Sequence, residues 1–152
     1  MGAYKIFKKY IDGTEPKIHV PDVDVIVSTL TTAVAEVIDI RMRKAYITAR
    51  TIKHLYDGKP DDEFNAVLKS IPMVVRFPDH IHLTKDGKRG DFIFKKNLKG
   101  YNYICSLEQV PILEGNSTHT VLFVVTCFWE RSKNYLNEYP HVWSWKDDIP
   151  SS

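Results

Sequence analysis

The spacing of apolar residues changes near the middle of this chain, and that change sets the fold class. Between Phe64 and Ile71 apolar residues recur at positions i, i+3, i+4 and i+7, which is the spacing of one face of an α-helix. After Met73 apolar and polar residues alternate over several short runs, which is typical of strands with one buried face. The sequence therefore predicts helices followed by a sheet, an α+β domain.

Two helices are predicted ahead of the strands. Thr48 can cap a first helix that ends at Gly58, and Pro60 opens a second helix whose acidic first turn suits the helix dipole. Pro72 is predicted to end the second helix, because proline interrupts helical hydrogen bonds. Strands are then predicted near residues 74–77, 91–96, 103–110 and 120–128, followed by a closing helix over 130–139 and an aromatic tail, 141–145, that packs back. Because short turns join the strands, we expect N-terminal helices packed on a twisted antiparallel sheet of about four strands.

The first part of the chain has weaker patterns. Residues 1–43 are predicted to form an N-terminal extension that packs on, or leads into, a main domain of residues 44–152. Within that extension, residues 4–11 and 17–27 fit short strands or an arm. Residues 28–40 fit a short helix that runs into a strand.

Composition narrows the class of protein. With 43% hydrophobic and 26% charged residues the chain is typical of a globular domain, and a net charge of +2 leaves nucleic acid open as a partner if the cations cluster. Cys105 and Cys127 lie in apolar runs and are too few for a disulfide framework, so we expect a reducing, cytoplasmic location. The apolar runs are too short to span a bilayer, so no membrane association is expected.

His54 is the first candidate for chemistry. It points away from the apolar stripe of the first helix and shares its face with Arg50, four residues earlier. A neighbouring cation disfavours the protonated imidazole, which suits a general base near neutral pH. The alternative is a surface histidine without a function.

A cationic turn and a strand hydroxyl are the next candidates. Lys85, Lys88 and Arg89 surround a turn, where a guanidinium can clamp a phosphate and an ammonium can act as a point charge. Thr126 ends an apolar strand, where its hydroxyl can bind a phosphate oxygen. The alternative for the cationic turn is a solvated hairpin turn without a ligand. The alternative for Thr126 is a residue that is present for its strand propensity.

Two further groups of residues have weaker patterns. If extended, His80 and His82 lie on one face as a metal pair would, but no third ligand is near in sequence. A role as a second acid/base, or a solvated strand edge, is therefore favoured, and no metal or cofactor is expected. Aromatic residues interleaved with cations can stack bases and hold phosphates, although core packing is the alternative for the aromatics. The predicted nucleic-acid contacts are Arg50, Lys85, Lys95, Tyr103 and Arg131.

These motifs together resemble a known nuclease family. The runs YITARTIKHL (46–55), FPDHI (77–81) and KDGKRGDF (85–92), with the later strand that ends in Thr126, resemble the phage-associated branch of the BECR nucleases. That superfamily groups barnase, EndoU, the tRNase colicins and RelE, and the resemblance covers residues 44–130. It implies a helical segment followed by a four-stranded antiparallel sheet, with RNA cleaved on the sheet's concave face.

The resemblance also implies a mechanism. Such enzymes are metal-independent endoribonucleases in which a base activates the ribose 2′-OH, which attacks the adjacent phosphorus and leaves a 2′,3′-cyclic phosphate. By position, His54 matches an acid/base, Arg89 assisted by Lys88 matches the phosphate-stabilising cation, and Thr126 matches a phosphate-binding strand hydroxyl. His80, His82 and Lys85 compete for the second acid/base.

The family's members often act as toxins or in phage–host conflict, and target RNA that can be tRNA. That implies RNA as substrate and an inhibitor or immunity protein as a further partner. Two alternatives stay open: a non-catalytic nucleic-acid- or protein-binding domain of a phage or mobile element, and a structural or accessory domain in which the cationic turn is solvated surface.

Overall fold

A computed structural model describes residues 2–84 and 90–148. The helices are α1 (Ala3–Ile6), α2 (Thr32–Val37), α3 (Ala49–Gly58) and α4 (Asp61–Arg76), with a π-helical turn at Phe7–Ile11 and a 3₁₀ turn at Trp145–Asp148. The strands are β1 (Asp24–Thr29), β2 (Lys44–Thr48), β3 (His80–Leu83), β4 (Phe92–Leu98), β5 (Tyr101–Glu114), β6 (Ser117–Trp129) and β7 (His141–Ser144). Across these described ranges, every helix is too short or too polar to cross a bilayer.

The strands form one sheet of seven, in the order β1-β2-β6-β5-β4-β3-β7. Strands β2 and β6 run parallel, with Ala45 opposite Leu122, whereas the other neighbouring strands are antiparallel. The predicted α+β class is confirmed, but the prediction of about four strands is wrong. Four strands lie outside the ranges predicted for the four-stranded sheet, namely β1, β2, β3 and β7, and the last is the aromatic tail, which packs back against β3.

Helix α4 continues through Pro72 to Arg76, so the predicted helix end and the predicted strand at 74–77 are both wrong. Val74 and Val75 follow Ile71 at i+3 and i+4, and all three are buried, so the apolar stripe extends past the proline. Pro72 itself lies on the exposed side, and its carbonyl accepts a hydrogen bond from Ser28 Oγ at 2.9 Å. Burial of the stripe outweighs the helical hydrogen bond that proline removes.

The N-terminal region belongs to the same hydrophobic core as the rest of the chain. Leu30 and Val34 pack in one cluster with Ile47 and Phe64. Residues 4–11, predicted as a strand or an arm, are helical instead. The predicted short helix is present as α2, but the strand expected at its end does not form.

The sheet has a helix-covered face and a more open face. Helix α4 contacts β1, β4, β5 and β6 on the first face, where Cys105 and Cys127 are buried. The open face is partly covered by residues 130–140, which form turns rather than the predicted closing helix and pack Leu136 and Tyr139 against the sheet.

A β-bulge bends the sheet beside Thr126. Ser106 pairs with Thr126 while the next residue, Leu107, pairs with Val124, so Val125 is an extra residue in β6. Such bulges increase the local twist and redirect side chains. This one lies where β6 passes α3.

Candidate active site

His54 and Thr126 line one cavity, although they come from a helix and from a central strand. The cavity has a volume of about 290 Å³ and lies on the open face, with Ser106 and Tyr139 also in its wall. The Thr48 hydroxyl accepts a hydrogen bond from Thr51 N–H at 3.0 Å and begins α3, as predicted.

Burial in α3 fixes the direction of His54. Ile52 and Leu55 are buried against the core, whereas His54 and Arg50 are exposed on the other side of the helix, as their spacing predicts. His54 also lines a second cavity, of about 330 Å³, together with Arg50, Glu108 and Phe123. His54 therefore lines both cavities.

Glu108 is a site residue that the sequence reasoning missed. It lies in β5 directly opposite Phe123 of β6, and its carboxylate faces the cavity that contains His54. The available signal was a carboxylate within the apolar run of a strand, CSLEQV, but an acidic strand residue more often faces solvent. The structure thus adds a carboxylate beside the predicted imidazole.

The polar side chains of these two cavities are available to a ligand. Arg50, His54, Glu108 and Thr126 have no side-chain hydrogen bond or ion pair within residues 2–84 and 90–148. Some charged residues elsewhere do pair, as in the Lys96–Asp79 ion pair at 3.4 Å and the Lys95–Glu130 ion pair at 3.1 Å. The two cavities, which share His54, therefore hold an imidazole, a carboxylate, a cation and a hydroxyl that are free to act on a ligand. Such a set of groups can bind a ligand and transfer protons to and from it.

The two described residues on either side of the cationic turn, Thr84 and Gly90, contact this site. Lys85, Lys88 and Arg89 lie outside the described residues. Thr84, which precedes them, lines the His54–Thr126 cavity. Gly90, which follows them, has φ +93 and packs so tightly on the Ser106 hydroxyl that a Cβ there would collide with it.

The remaining predicted nucleic-acid contacts lie elsewhere. Tyr103 is 4% exposed, so its ring packs in the core and offers no face on which a base could stack, and that prediction does not fit the structure. Arg131 pairs with the buried carboxylate of Glu63, and Lys95 pairs with Glu130 beside the histidines of β3. Of the five residues predicted to contact nucleic acid, Arg50 lines the same cavity as His54 and Glu108.

His80 and His82 share one face of β3, and His141 of β7 joins them. His80 Nδ1 lies 3.2 Å from His141 Nε2, and His82 Nδ1 lies 3.1 Å from the carbonyl oxygen of Tyr139. Burial, followed by the charge of His141, lowers the pKa of His80. Burial is also the main cause that lowers the pKa of His82, although its hydrogen bond to Tyr139 opposes the change.

This histidine cluster is separate from the His54–Thr126 cavity, whose wall includes neither His80 nor His82. Tyr139 lies between the two, because it contacts His82 through its carbonyl and lines the cavity. Over the described part of the chain, no group of three or more His, Cys, Asp or Glu residues is arranged to hold a metal ion.

In comparisons with known proteins, no protein-family model, no curated protein and no solved structure matches this chain.

Proposed function

We propose that this chain is a metal-independent endoribonuclease that cleaves RNA by attack of the ribose 2′-OH and leaves a 2′,3′-cyclic phosphate. The observation that supports it is a pair of cavities that share His54, one lined also by Arg50 and Glu108 and the other by Thr126. Cleavage of this kind needs a proton acceptor, a proton donor and positive charge around one phosphate.

The chemistry assigns a role to each group. An ionised carboxylate can accept a proton, so Glu108 takes the proton from the 2′-OH as O2′ bonds to phosphorus. As the bond from phosphorus to O5′ breaks, His54 in its protonated form donates a proton to the leaving oxygen, so the proposal gives it the role of acid rather than the role of base that its spacing from Arg50 suggested. Arg50 and the Thr126 hydroxyl bind the phosphate oxygens while negative charge develops on them, and Arg89 and Lys88 are predicted to assist.

This assignment revises the roles of the candidate second acid/base residues. His80 and His82 lie in the separate cluster on β3, so we place Glu108 rather than either of them opposite His54. The role of Lys85 stays a prediction. A toxin role, tRNA as the target and an inhibitor or immunity protein as partner are proposed on the family resemblance alone.

Cleavage of total RNA and of tRNA in EDTA, with the product ends mapped, tests the proposal. We expect 2′,3′-cyclic phosphate ends and a rate reduced by about 100-fold or more in each of the variants His54→Gln and Glu108→Gln. The matched controls are His119→Gln and Glu114→Gln, which lie towards the far end of the β5–β6 hairpin and should keep the wild-type rate.

Full activity in both site variants would contradict the assignment of the residues, and loss of cleavage in EDTA would contradict the metal-independent mechanism. RNA binding with a steep salt dependence and no product would favour the alternative, a non-catalytic nucleic-acid-binding domain.

A further inference from the structure

A groove formed by the N-terminal region adjoins the proposed active site. It has a volume of about 660 Å³, and one wall is the segment of residues 17–22 while the other is the face of α3 that contains Arg50 and His54. Because Arg50 and His54 also line the cavity with Glu108, the groove continues directly from the site of the proposed reaction.

The free charges in this groove are mainly cationic. The side chains of Lys17, His19 and Arg50 are exposed and make no hydrogen bond or ion pair with any residue the structure describes. The carboxylate of Asp57, in contrast, is already bound by Lys53 at 2.7 Å and by the backbone N–H of Lys17 at 2.9 Å. Asp22 contributes a further carboxylate, so outside the Lys53–Asp57 ion pair the groove has two cations, Lys17 and Arg50, and one acid.

The N-terminal wall is held in place by hydrogen bonds to α3. Lys53, which is 4% exposed, donates to Thr14 Oγ1 at 2.8 Å and to the carbonyl oxygen of Glu15 at 2.7 Å. The hydroxyl oxygen of Tyr56 accepts a hydrogen bond from Gly13 N–H at 3.0 Å. A wall that is already ordered loses little conformational entropy when a ligand binds against it.

The groove also offers apolar surface between its cations. Ile18 is 44% exposed and lines the groove beside Lys17 and His19. Single-stranded nucleic acid fits this alternation of cations and apolar surface. Each nucleotide has one negatively charged phosphate, and the face of a base lies between successive phosphates.

We propose that this groove is a subsite for the ribose-phosphate backbone of single-stranded RNA next to the scissile phosphate. Lys17 and His19 bind a neighbouring phosphodiester, and Arg50 lies between it and the reacting phosphate. The identification of RNA as the ligand rests on the proposed function. The subsite gives residues 1–43 a role, since they supply one wall of the substrate groove.

Binding of uncleavable oligonucleotides tests the subsite apart from catalysis. The probes are fluorescein-labelled 2′-O-methyl oligonucleotides of two and six nucleotides, in which the attacking hydroxyl is blocked. In the double variant Lys17→Gln, His19→Gln we expect affinity for the six-nucleotide probe to fall about tenfold at low salt. The slope of log affinity against log salt should become shallower by about 0.7 for each phosphate that the variant no longer neutralises. Affinity for the two-nucleotide probe should stay the same, because its single phosphodiester is expected to occupy the cavity around His54 and to leave the groove empty.

A control with the same changes in residue type is Lys69→Gln, His119→Gln, which lies outside the groove and should bind both probes like the wild type. Thermal unfolding of both double variants shows that the fold is kept. Unchanged binding of the six-nucleotide probe by Lys17→Gln, His19→Gln, or an equal loss for both probes, would overturn the subsite. If the wild type cleaves no RNA but the length-dependent loss is seen, the subsite stands and the proposed catalysis fails.

Discussion

Lys53 is a buried cation whose role is positional. Its ammonium group lies 2.7 Å from Asp57 Oδ1 and donates to Thr14 and Glu15, so its three donors are all used. Burial tends to raise the pKa of Asp57, but the N–H of Lys17 and the ammonium of Lys53 outweigh it, and the pKa is lowered. Lys53 therefore couples α3 to the loop that forms one wall of the proposed RNA groove.

Replacement of Lys53 by methionine should destabilise the fold. The variant Lys53→Met keeps an unbranched side chain but removes three hydrogen bonds and leaves Asp57 with the Lys17 N–H as its partner. We expect the free energy of unfolding in urea at pH 7 to fall by about 3 kcal/mol. The exposed Lys69→Met should change it by less than about 0.5 kcal/mol, and equal losses in the two variants would contradict the role of Lys53.

The start of α4 is tied to the end of β6 by another buried charge. Glu63 is 1% exposed, accepts a hydrogen bond from Trp129 N–H at 3.2 Å and pairs with Arg131. Burial tends to raise the pKa of Glu63, but these partners and Lys59 outweigh it and lower the pKa. The carboxylate thus lies at the positive end of the helix dipole and also joins two elements.

Neutralising this carboxylate should loosen the contact between helix and sheet. We expect Glu63→Gln to lower the free energy of unfolding at pH 7 by about 2 kcal/mol, because the charged partners lose their counter-ion. Asp62→Asn, in the same first turn but exposed, should cost about 0.5 kcal/mol through the helix dipole alone. Because the pKa of Glu63 is lowered by folding, the difference between wild type and Glu63→Gln should disappear as the pH falls through that pKa, and a difference that persists in acid would contradict this origin.

Local patterns predicted the elements whose partners are near in sequence. The cap at Thr48 and the hairpin of β5 and β6 follow from residue spacing, because the cap closes within three residues and a short turn joins the two strands. The parallel pairing of β2 with β6 joins residues far apart along the chain, so no local pattern indicates it. Val74 and Val75 fit either the helical or the strand spacing of apolar residues. They are helical because the continuation of α4 buries both in the core.

The candidate site was predictable to a similar extent. His54 follows from the apolar stripe of α3, which leaves its face free. Glu108 and His141 were missed because their importance depends on neighbours far away along the chain, His54 and His80. Lys95, in turn, fitted a nucleic-acid contact by composition, but its ion pair with Glu130 is formed by tertiary contacts.

The histidine cluster should make the stability of the whole molecule depend on pH in a defined interval. Burial and mutual repulsion lower the pKa of His80 and His82, with His141, Lys95 and Lys146 as positive neighbours and Asp79 as a negative one. The unfolded chain then binds more protons than the folded one below about pH 6.5, so stability is full above that value and is lost as the pH falls. Asp57 and Glu63 do not contribute there, because their pKa values lie below the ordinary values of 3.8 and 4.5.

The test is urea unfolding at pH 7.5, 6.5 and 5.5. Wild type should lose free energy of unfolding across this range, and the double variant His80→Gln, His82→Gln should lose less than half as much, since glutamine does not titrate. The control His54→Gln, His119→Gln also removes two imidazoles but leaves the cluster intact, and should follow the wild type. If both double variants show the same pH dependence as wild type, proton uptake by the cluster does not govern stability. The acid sensitivity would then arise from other groups in the chain.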